Sequence, residues 1–169
     1  MSEIELNLLY SPFTLWYHNP NNKNWTLESY KIIVNFNSVE EYWIYNDIFE
    51  NEMIINGMFF IMKKDINPIW EDEKNINGGC ISLKILKDKS FDLWNKLSIY
   101  LLSNNLSSNI NGISISPKKN FNIIKIWFNE QIDYKTYKFP EELKINEMNY
   151  LFRIHKMNIE KDKFKKTKN

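Results

Sequence analysis

Alternation of apolar and polar residues along seven short segments is the feature that most constrains the fold. Successive side chains of a strand point to opposite faces, so this alternation predicts strands with one buried face. The segments are 12–18, 29–36, 58–63, 80–86, 112–116, 121–128 and 149–155. Strands in hairpin succession with helices inserted are typical of an antiparallel α+β sheet that is covered on one face. The other face is then free to bind something.

Two segments have the spacing of helices. Ser38, followed three residues later by Glu41, forms a capping box that predicts a helix start. Apolar residues recur at helical spacing at Phe91, Trp94, Leu97 and Leu101. Ser90 is the predicted cap of this second helix. A third, weaker helix is predicted near Pro140, and the lysine-rich end from Lys161 onward is predicted to be frayed.

Composition sets limits on the class of protein. The chain has 169 residues, which suits one domain, and neither an internal repeat nor a Gly/Ser linker divides it. Its net charge of +1 gives no global field toward nucleic acid or membrane, so any site for a polyanion must be a local patch. The single cysteine, Cys80, excludes an internal disulfide and fits a reducing compartment. No apolar run reaches the roughly 18 residues that span a bilayer. With no basic-then-apolar start, we expect a soluble intracellular domain.

Catalytic chemistry has little support in the sequence. The two histidines, His18 and His155, both fall inside predicted strands and are interpreted as ordinary strand residues. Cys80 has no local histidine motif, and no glycine-rich phosphate loop is present. The acids after Trp70 have no second acidic or histidine cluster to complete a metal site. The sequence therefore predicts neither an enzyme nor a cofactor or metal.

Binding chemistry is better supported, because tryptophans occupy two predicted loops. Trp70 comes shortly after Pro68, is followed by three acids from Glu71 onward, and precedes a double glycine. Trp25 follows the polar run NPNNKN. Two indoles can sandwich a positively charged planar base by stacking and cation–π attraction, and a neighbouring carboxylate can accept its N–H donors. The alternative is that these are core tryptophans and a solvated acidic loop.

A basic hairpin precedes the predicted strand that carries a further tryptophan, Trp127. Trp127 and Lys125 share one face of the predicted strand 121–128. Just upstream, Lys118 and Lys119 lie in a predicted hairpin loop. Lysines of this kind can bind phosphates as point charges.

Three stretches together resemble the eukaryotic translation initiation factor 4E family, the messenger-RNA cap-binding proteins. They are NWTLESYKIIVNFNSVEEYWIYND, INPIWEDEKNINGG and NGISISPKKN with IIKIW. The tryptophans follow the family's order at nearly its spacings, at Trp16, Trp25, Trp43, Trp70, Trp94 and Trp127. The resemblance runs from about Phe13 to Trp127 and indicates a divergent member. Abundant asparagine, isoleucine and lysine also indicate AT-rich coding, as in some viruses and protists.

The resemblance implies a fold and a function. The fold is a single curved antiparallel sheet of about eight strands backed by two or three helices, with the mRNA cap on its concave face. The cap-binding domain is 13–156, between an N-terminal extension 1–12 and a lysine-rich tail 157–169. Trp25 and Trp70 would sandwich 7-methylguanine, Glu71 would accept the guanine N–H groups, and Trp127 would lie near the methyl group.

The sequence departs from the family pattern around the phosphates. Cys80 stands where the family has an arginine after the double glycine, and Ile123 matches a family lysine. Lys118 matches the phosphate-binding arginine, keeping the charge without its bidentate fork. Lys119 and Lys125 are expected to compensate. The C-terminal part matches poorly, with the family's third helix reduced.

The resemblance also predicts a partner surface on the side opposite the mRNA cap. Val39 and Trp43 share one helix face and would receive a short helix from a 4G-like scaffold or a 4E-binding repressor. Ile99 extends this apolar strip, whereas Asn95 and Lys96 replace a leucine and an acid of the family. The function predicted is a cytoplasmic initiation factor (host cytoplasm if viral), monomeric before it binds capped mRNA and scaffold. The alternative is a cap-binding repressor or competitor that does not recruit the scaffold.

Overall fold

A seven-stranded antiparallel sheet organises the computed structural model, which describes residues 6–167. The strands are β1 Leu8–His18, β2 Tyr30–Ser38, β3 Met58–Lys63, β4 Gly79–Leu86, β5 Ile110–Pro117, β6 Phe121–Phe128 and β7 Tyr150–Ile154. Their spatial order is β2-β1-β3-β5-β6-β4-β7. The helices are α1 Val39–Ile48, α2 Asn51–Asn56, α3 Lys87–Leu102 and α4 His155–Lys166. The α+β antiparallel prediction is confirmed, with seven strands in the described residues rather than about eight.

The two faces of the sheet bury separate apolar clusters. On one side, called here the helix face, side chains such as Ile124, Ile126 and Leu97 form the main core. On the other, called here the open face, a smaller cluster contains Phe60, Met62, Ile66, Cys80 and Trp127. Alternation along β6 explains the division, because Trp127 and Ile126 are adjacent and therefore point to opposite faces. The open face is the one left available for a ligand.

The start of α1 agrees with its sequence signal, whereas the start of α3 does not. Ser38 Oγ accepts from the Glu41 amide at 3.2 Å, and the Glu41 carboxylate accepts from the Ser38 amide, also at 3.2 Å. The cap predicted at Ser90 is wrong, because α3 begins three residues earlier, at Lys87. The buried Ser90 hydroxyl instead donates to the Lys87 carbonyl at 2.8 Å and accepts from Asn122 Nδ2 at 2.7 Å. Ser90 therefore joins α3 to β6.

The C-terminal third differs most from the sequence-based expectations. The helix expected near Pro140 is two short 3-10 turns, Glu141–Leu143 and Ile145–Glu147, separated by Lys144 with a positive φ of 54°. The strand predicted to reach 155 ends at Ile154, and α4 continues to Lys166 in place of the predicted fraying. At the other end, residues 1–5 of the expected extension lie outside the described residues, and β1 already begins at Leu8.

No helix within residues 6–167 combines the length and the apolar character needed to cross a membrane.

Candidate functional site

One end of the candidate site is the β1–β2 loop, which carries Trp25. The Trp25 ring stacks on the buried imidazole of His18, with centroids 4.4 Å apart and planes within 8°. His18 Nε2 lies 2.8 Å from the Asn24 carbonyl, and Asn24 Oδ1 accepts from the Thr26 amide at 2.9 Å. Such asparagine side-chain turns shape a loop without regular structure. Trp25 remains 52% exposed, so one face of its ring is held and the other is available.

A chain of aromatic contacts crosses the open face from that loop. The ring of His18 lies 4.6 Å from Tyr30, which lies 5.4 Å from Phe60. Phe60 in turn lies 6.1 Å from Trp127, whose indole N–H donates to Ser114 Oγ at 3.0 Å. These rings form a continuous apolar floor over β1, β2, β3 and β6.

The other end of this floor carries Trp70. Trp127 lies 5.1 Å from the His155 ring, and His155 lies 6.4 Å from Trp70 with planes within 20°. Trp25 and Trp70 thus occupy the two ends of one aromatic arc. Lys125 Nζ lies 5.8 Å from the centroid of Trp70, so a cation also faces this end of the arc.

The β3–β4 loop, residues 64–78, is held by its own polar side chains. The buried Asp72 carboxylate accepts from the amide and side chain of Asn67 at 3.0 and 2.9 Å, and from the Lys74 amide at 2.9 Å. Asn75 Nδ2 donates to the carbonyls of Asn67 and Ile69 at 2.8 and 2.9 Å. Asp72 therefore has a structural role in the acidic run, while its neighbours Glu71 and Glu73 are exposed.

The charge of Glu71 acts on Tyr30 in the first half of the arc. Burial, and after it the negative charge of Glu71, raise the pKa of Tyr30. The ionised Glu71 carboxylate therefore disfavours a negative charge on Tyr30, which stays neutral near pH 7. Tyr30 in turn contacts His18, the ring on which Trp25 stacks.

A buried neutral pair joins the loop to β4 and α4. His155 Nδ1 donates to the Asn75 carbonyl at 2.7 Å, which leaves Nε2 to accept from the Cys80 thiol at 2.9 Å. Burial raises the pKa of Cys80 to about 12 and lowers that of His155 to about 4. Both groups are therefore neutral near pH 7. The position where the resemblance expects an arginine holds a thiol that supports the loop without adding charge.

The structure separates the predicted basic residues. Lys125 lies on the open face, two residues from Trp127. Lys118 and Lys119 are exposed at the tip of the β5–β6 hairpin, where the Lys118 amide donates to the Phe121 carbonyl at 2.9 Å. This tip lies about 20 Å along β6 from Trp127 at the usual strand rise. Only Lys125 is brought to the aromatic arc.

A second candidate surface lies on the helix face. Val39, Trp43 and Ile99, all partly exposed, line a groove of about 330 Å³, here called the helix-face groove. Its other lining residues are Leu8, Leu9, Tyr10, Tyr42, Leu102 and Ser103. Asn95 and Lys96 do not line it, and Lys96 Nζ forms an ion pair with Asp92 at 2.8 Å. Three of the five predicted partner residues therefore meet in one groove.

Sequence reasoning missed the histidines of the site. His155 was predicted inside a strand and begins α4 instead, against Trp127. His18 is in a strand, as predicted, but it also supports Trp25. The period-2 alternation could have placed His18 and Trp16 on one face, but the sequence carries no signal for the end of β7 at Ile154. Within residues 6–167 no group of His, Cys, Asp and Glu is placed to hold a metal ion.

The neutral state of His155 predicts a pH dependence of stability. The pKa of this imidazole is about 4 in the folded chain and 6.5 as an ordinary histidine, so between these values the unfolded chain binds more protons. This contribution to stability is complete above pH 6.5 and is lost progressively as the pH falls toward 4. Urea unfolding of the parent and of His155→Asn across this range should show the fall chiefly in the parent. Parallel pH profiles of the two proteins would contradict the assignment.

Comparison with known proteins agrees with the fold and identifies a family. The family model for Eukaryotic initiation factor 4E matches residues 8–169. The chain is 29% identical over 130 residues to eukaryotic translation initiation factor 4E of Saccharomyces cerevisiae, covering 70% of this chain and 60% of that protein. The chain thus spans about six-tenths of the length of that curated relative.

Two solved structures share the fold. The complex of C. elegans eIF4E-3 with the 4E-binding protein Mextli matches with a TM-score of 0.77 at 16% identity, covering 91% of this chain and 96% of that one. Ascaris suum eIF4E-3 with m7G cap matches with a TM-score of 0.71 at 17% identity, covering 89% and 92%. Structural likeness at such low identity establishes the fold, and the family model establishes the relationship. The chain belongs to the eukaryotic translation initiation factor 4E family.

Proposed function

We propose that this chain binds the 7-methylguanosine cap of messenger RNA between Trp25 and Trp70. The observation that carries this proposal is the aromatic arc, which has these two indoles at its ends, with the exposed Glu71 next to Trp70. Methylation at N7 gives guanine a positive charge, so indole faces attract it by cation–π interaction as well as by stacking. The Ascaris suum relative, which was solved with m7G cap, supports this choice of ligand.

Glu71 and Trp127 complete the base site in this proposal. The acids after Trp70 have different roles. Asp72 accepts hydrogen bonds within the β3–β4 loop, whereas Glu71 stays exposed. The Glu71 carboxylate then accepts the N1–H and N2–H donors of guanine, an arrangement that leaves few donors unpaired. Trp127, held in place by Ser114, lies under the methyl group.

Lysines on β6 and its hairpin bind the triphosphate in this proposal. Lys125 is nearest to the base, since it faces the ring of Trp70. Lys118 and Lys119 lie at the exposed hairpin tip, farther along the same strand pair. Each acts as a point charge rather than a bidentate fork.

The helix-face groove is the proposed partner site. Its apolar lining, with Val39, Trp43 and Ile99, suits the apolar face of a short helix. The C. elegans relative was solved with the 4E-binding protein Mextli, which supports a protein partner for this chain. We therefore propose a cytoplasmic, non-enzymatic initiation factor that is monomeric until it recruits a 4G-like scaffold. If the source is a virus, the compartment is the host cytoplasm.

A second function is favoured by Lys96, which lies on α3 three residues before Ile99 of the groove. Lys96 replaces an acid of the family pattern, so it disfavours a basic partner segment. The ion pair with Asp92 offsets part of this charge, and both side chains are largely exposed, so the repulsion is modest. A chain that binds capped mRNA but recruits a generic scaffold weakly would act as a competitor or repressor.

Replacement of Trp70 or of Glu71 by alanine should weaken mRNA-cap binding. Stacking on one aromatic side chain contributes roughly 1–3 kcal/mol per base, so Trp70→Ala should reduce affinity for 7-methyl-GTP by about tenfold or more. Glu71→Ala should cost a similar factor, because two guanine donors lose their acceptor. Fluorescence titration with 7-methyl-GTP measures both.

Trp43→Ala is the matched control, because it removes a partly exposed indole from the helix face. It should leave the affinity for 7-methyl-GTP unchanged. Equal affinity of Trp70→Ala and the parent would disprove the sandwich.

The proposed role of the helix-face groove predicts that a substitution there weakens partner binding but not mRNA-cap binding. Trp43→Ala should abolish binding of a helical peptide from the chain's own scaffold partner, since it removes the largest apolar wall of the groove. A generic host 4G peptide should bind the parent weakly, and Lys96→Glu should improve it by a few-fold. Calorimetry with such a peptide is the measurement. Tight binding of the generic 4G peptide by the parent, unchanged in Lys96→Glu, would contradict the specificity argument. Tight binding of the partner peptide by Trp43→Ala would show that the groove is not the partner site.

A further inference from the structure

Positive charge is concentrated on the last helix of the described chain. Helix α4 contains five lysines and two acids, a net charge of +3, whereas the whole chain has a net charge of only +1. The five lysines, Lys156, Lys161, Lys163, Lys165 and Lys166, are all exposed. Such a local surplus on a nearly neutral chain forms the kind of patch that attracts a polyanion.

The start of α4 is fixed at the candidate base site. Its first residue, His155, is buried and contacts Trp127 and Cys80, while the helix packs against β7. From there α4 extends for about 16 Å at the usual helical rise. A ligand chain that leaves the base site on this side therefore meets a row of lysines.

The strand register places two further cations on the strands nearest the β7 edge of the sheet. Arg153 of β7, the one arginine of the chain, is paired with Cys80, and it is exposed. Lys84 of β4 is paired with Ile123, and its Nζ lies 4.3 Å from the ring of Phe121. Both pairs put a basic residue beside a position where the resemblance expects one and the sequence lacks it. The open face therefore has these cations one strand nearer to β7, and Arg153 lies beside the start of α4.

We propose that Arg153 and helix α4 bind the phosphates of the RNA chain that follows the mRNA cap. The proposal rests on the proposed function, since it takes the base site as the place where the RNA begins. Lysines bind phosphates as point charges without reading sequence, so this contact is general for capped messages. The RNA runs over the β7 edge of the sheet and along α4.

Exposed apolar side chains on α4 fit the same ligand. Phe164 is 70% exposed, and it lies among the lysines near the end of the helix. Lysines interleaved with an exposed aromatic ring are typical of single-stranded nucleic-acid binding, in which bases stack while cations contact the backbone. A basic helix with apolar residues also suits an anionic membrane surface, so vesicles enter the test as the competing ligand.

The test compares ligands with and without RNA beyond the mRNA cap. Affinities for 7-methyl-GTP, for a short unstructured capped RNA and for the same RNA uncapped are measured over a series of salt concentrations. The variant is Lys161→Gln with Lys165→Gln, two lysines that share one side of α4. The charge-matched control is Lys89→Gln with Lys138→Gln, two exposed lysines of α3 and of the loop after β6. Circular dichroism verifies that each variant is folded.

The parent should bind capped RNA more tightly than 7-methyl-GTP and with a steeper salt dependence. Each phosphate that a lysine no longer neutralises should flatten the log–log slope by about 0.7, so the α4 variant should lose about 1.4 on capped RNA. Its affinity for 7-methyl-GTP should equal that of the parent, and the control should match the parent on every ligand. Phe164→Ala and Arg153→Gln should each weaken binding of capped RNA, whereas Arg153→Lys should retain most of it.

Three outcomes would overturn the inference. The first is a capped RNA that binds no more tightly than 7-methyl-GTP, and the second is a salt slope that the α4 variant leaves unchanged. The third is loss of binding to phosphatidylserine vesicles by the α4 variant while its RNA binding stays intact. If 7-methyl-GTP does not bind, the proposed function fails. The inference is then decided on uncapped RNA, where a slope lowered by the α4 variant supports it and an unchanged slope overturns it.

Discussion

The buried side chain of Asn75 is the constraint on which the rest of the site depends. Its Nδ2 donates to two carbonyls of the β3–β4 loop, its Oδ1 accepts from Asn111 at 2.8 Å, and its own carbonyl accepts from His155. A buried amide that loses such partners costs the full desolvation of the group, so the network fixes one arrangement of the loop. That arrangement holds Trp70 against the end of the aromatic arc. It also ties β5 and α4 to the same loop.

The neutral pair of Cys80 and His155 supports the candidate base site without the arginine expected after the double glycine. The thiol donates to the imidazole, and both groups are buried. The loop packs closely here, because a Cβ on Gly78 would lie 1.8 Å from the Phe128 carbonyl oxygen. A long charged side chain is replaced by a short neutral one, and cations appear on the paired strands instead. Support and charge, which one arginine could combine, are divided between different residues.

Most of the sheet could be predicted from the sequence, because period-2 alternation is a local signal that the helix-face core enforces. Segment 121–128 agrees with β6 at both ends, and the capping box located α1. The prediction of Ser90 as a cap was wrong because its hydroxyl accepts a hydrogen bond from Asn122, a contact that only the tertiary fold creates. His155 failed for a similar reason, since hydrogen bonds to Cys80 and to the distant Asn75 hold the residue at which the strand gives way to a helix. The resemblance supplied the roles proposed for Trp25 and Trp70, which no spacing rule could give.

The most direct test of the account is the ratio of affinities for 7-methyl-GTP and GTP, measured on the same preparation by fluorescence quenching. The two ligands differ by one methyl group and the positive charge that it confers on the base. Cation–π attraction of roughly 1–2 kcal/mol predicts that the methylated ligand binds about tenfold more tightly. Equal affinities for the two nucleotides would contradict a sandwich of the charged base between Trp25 and Trp70.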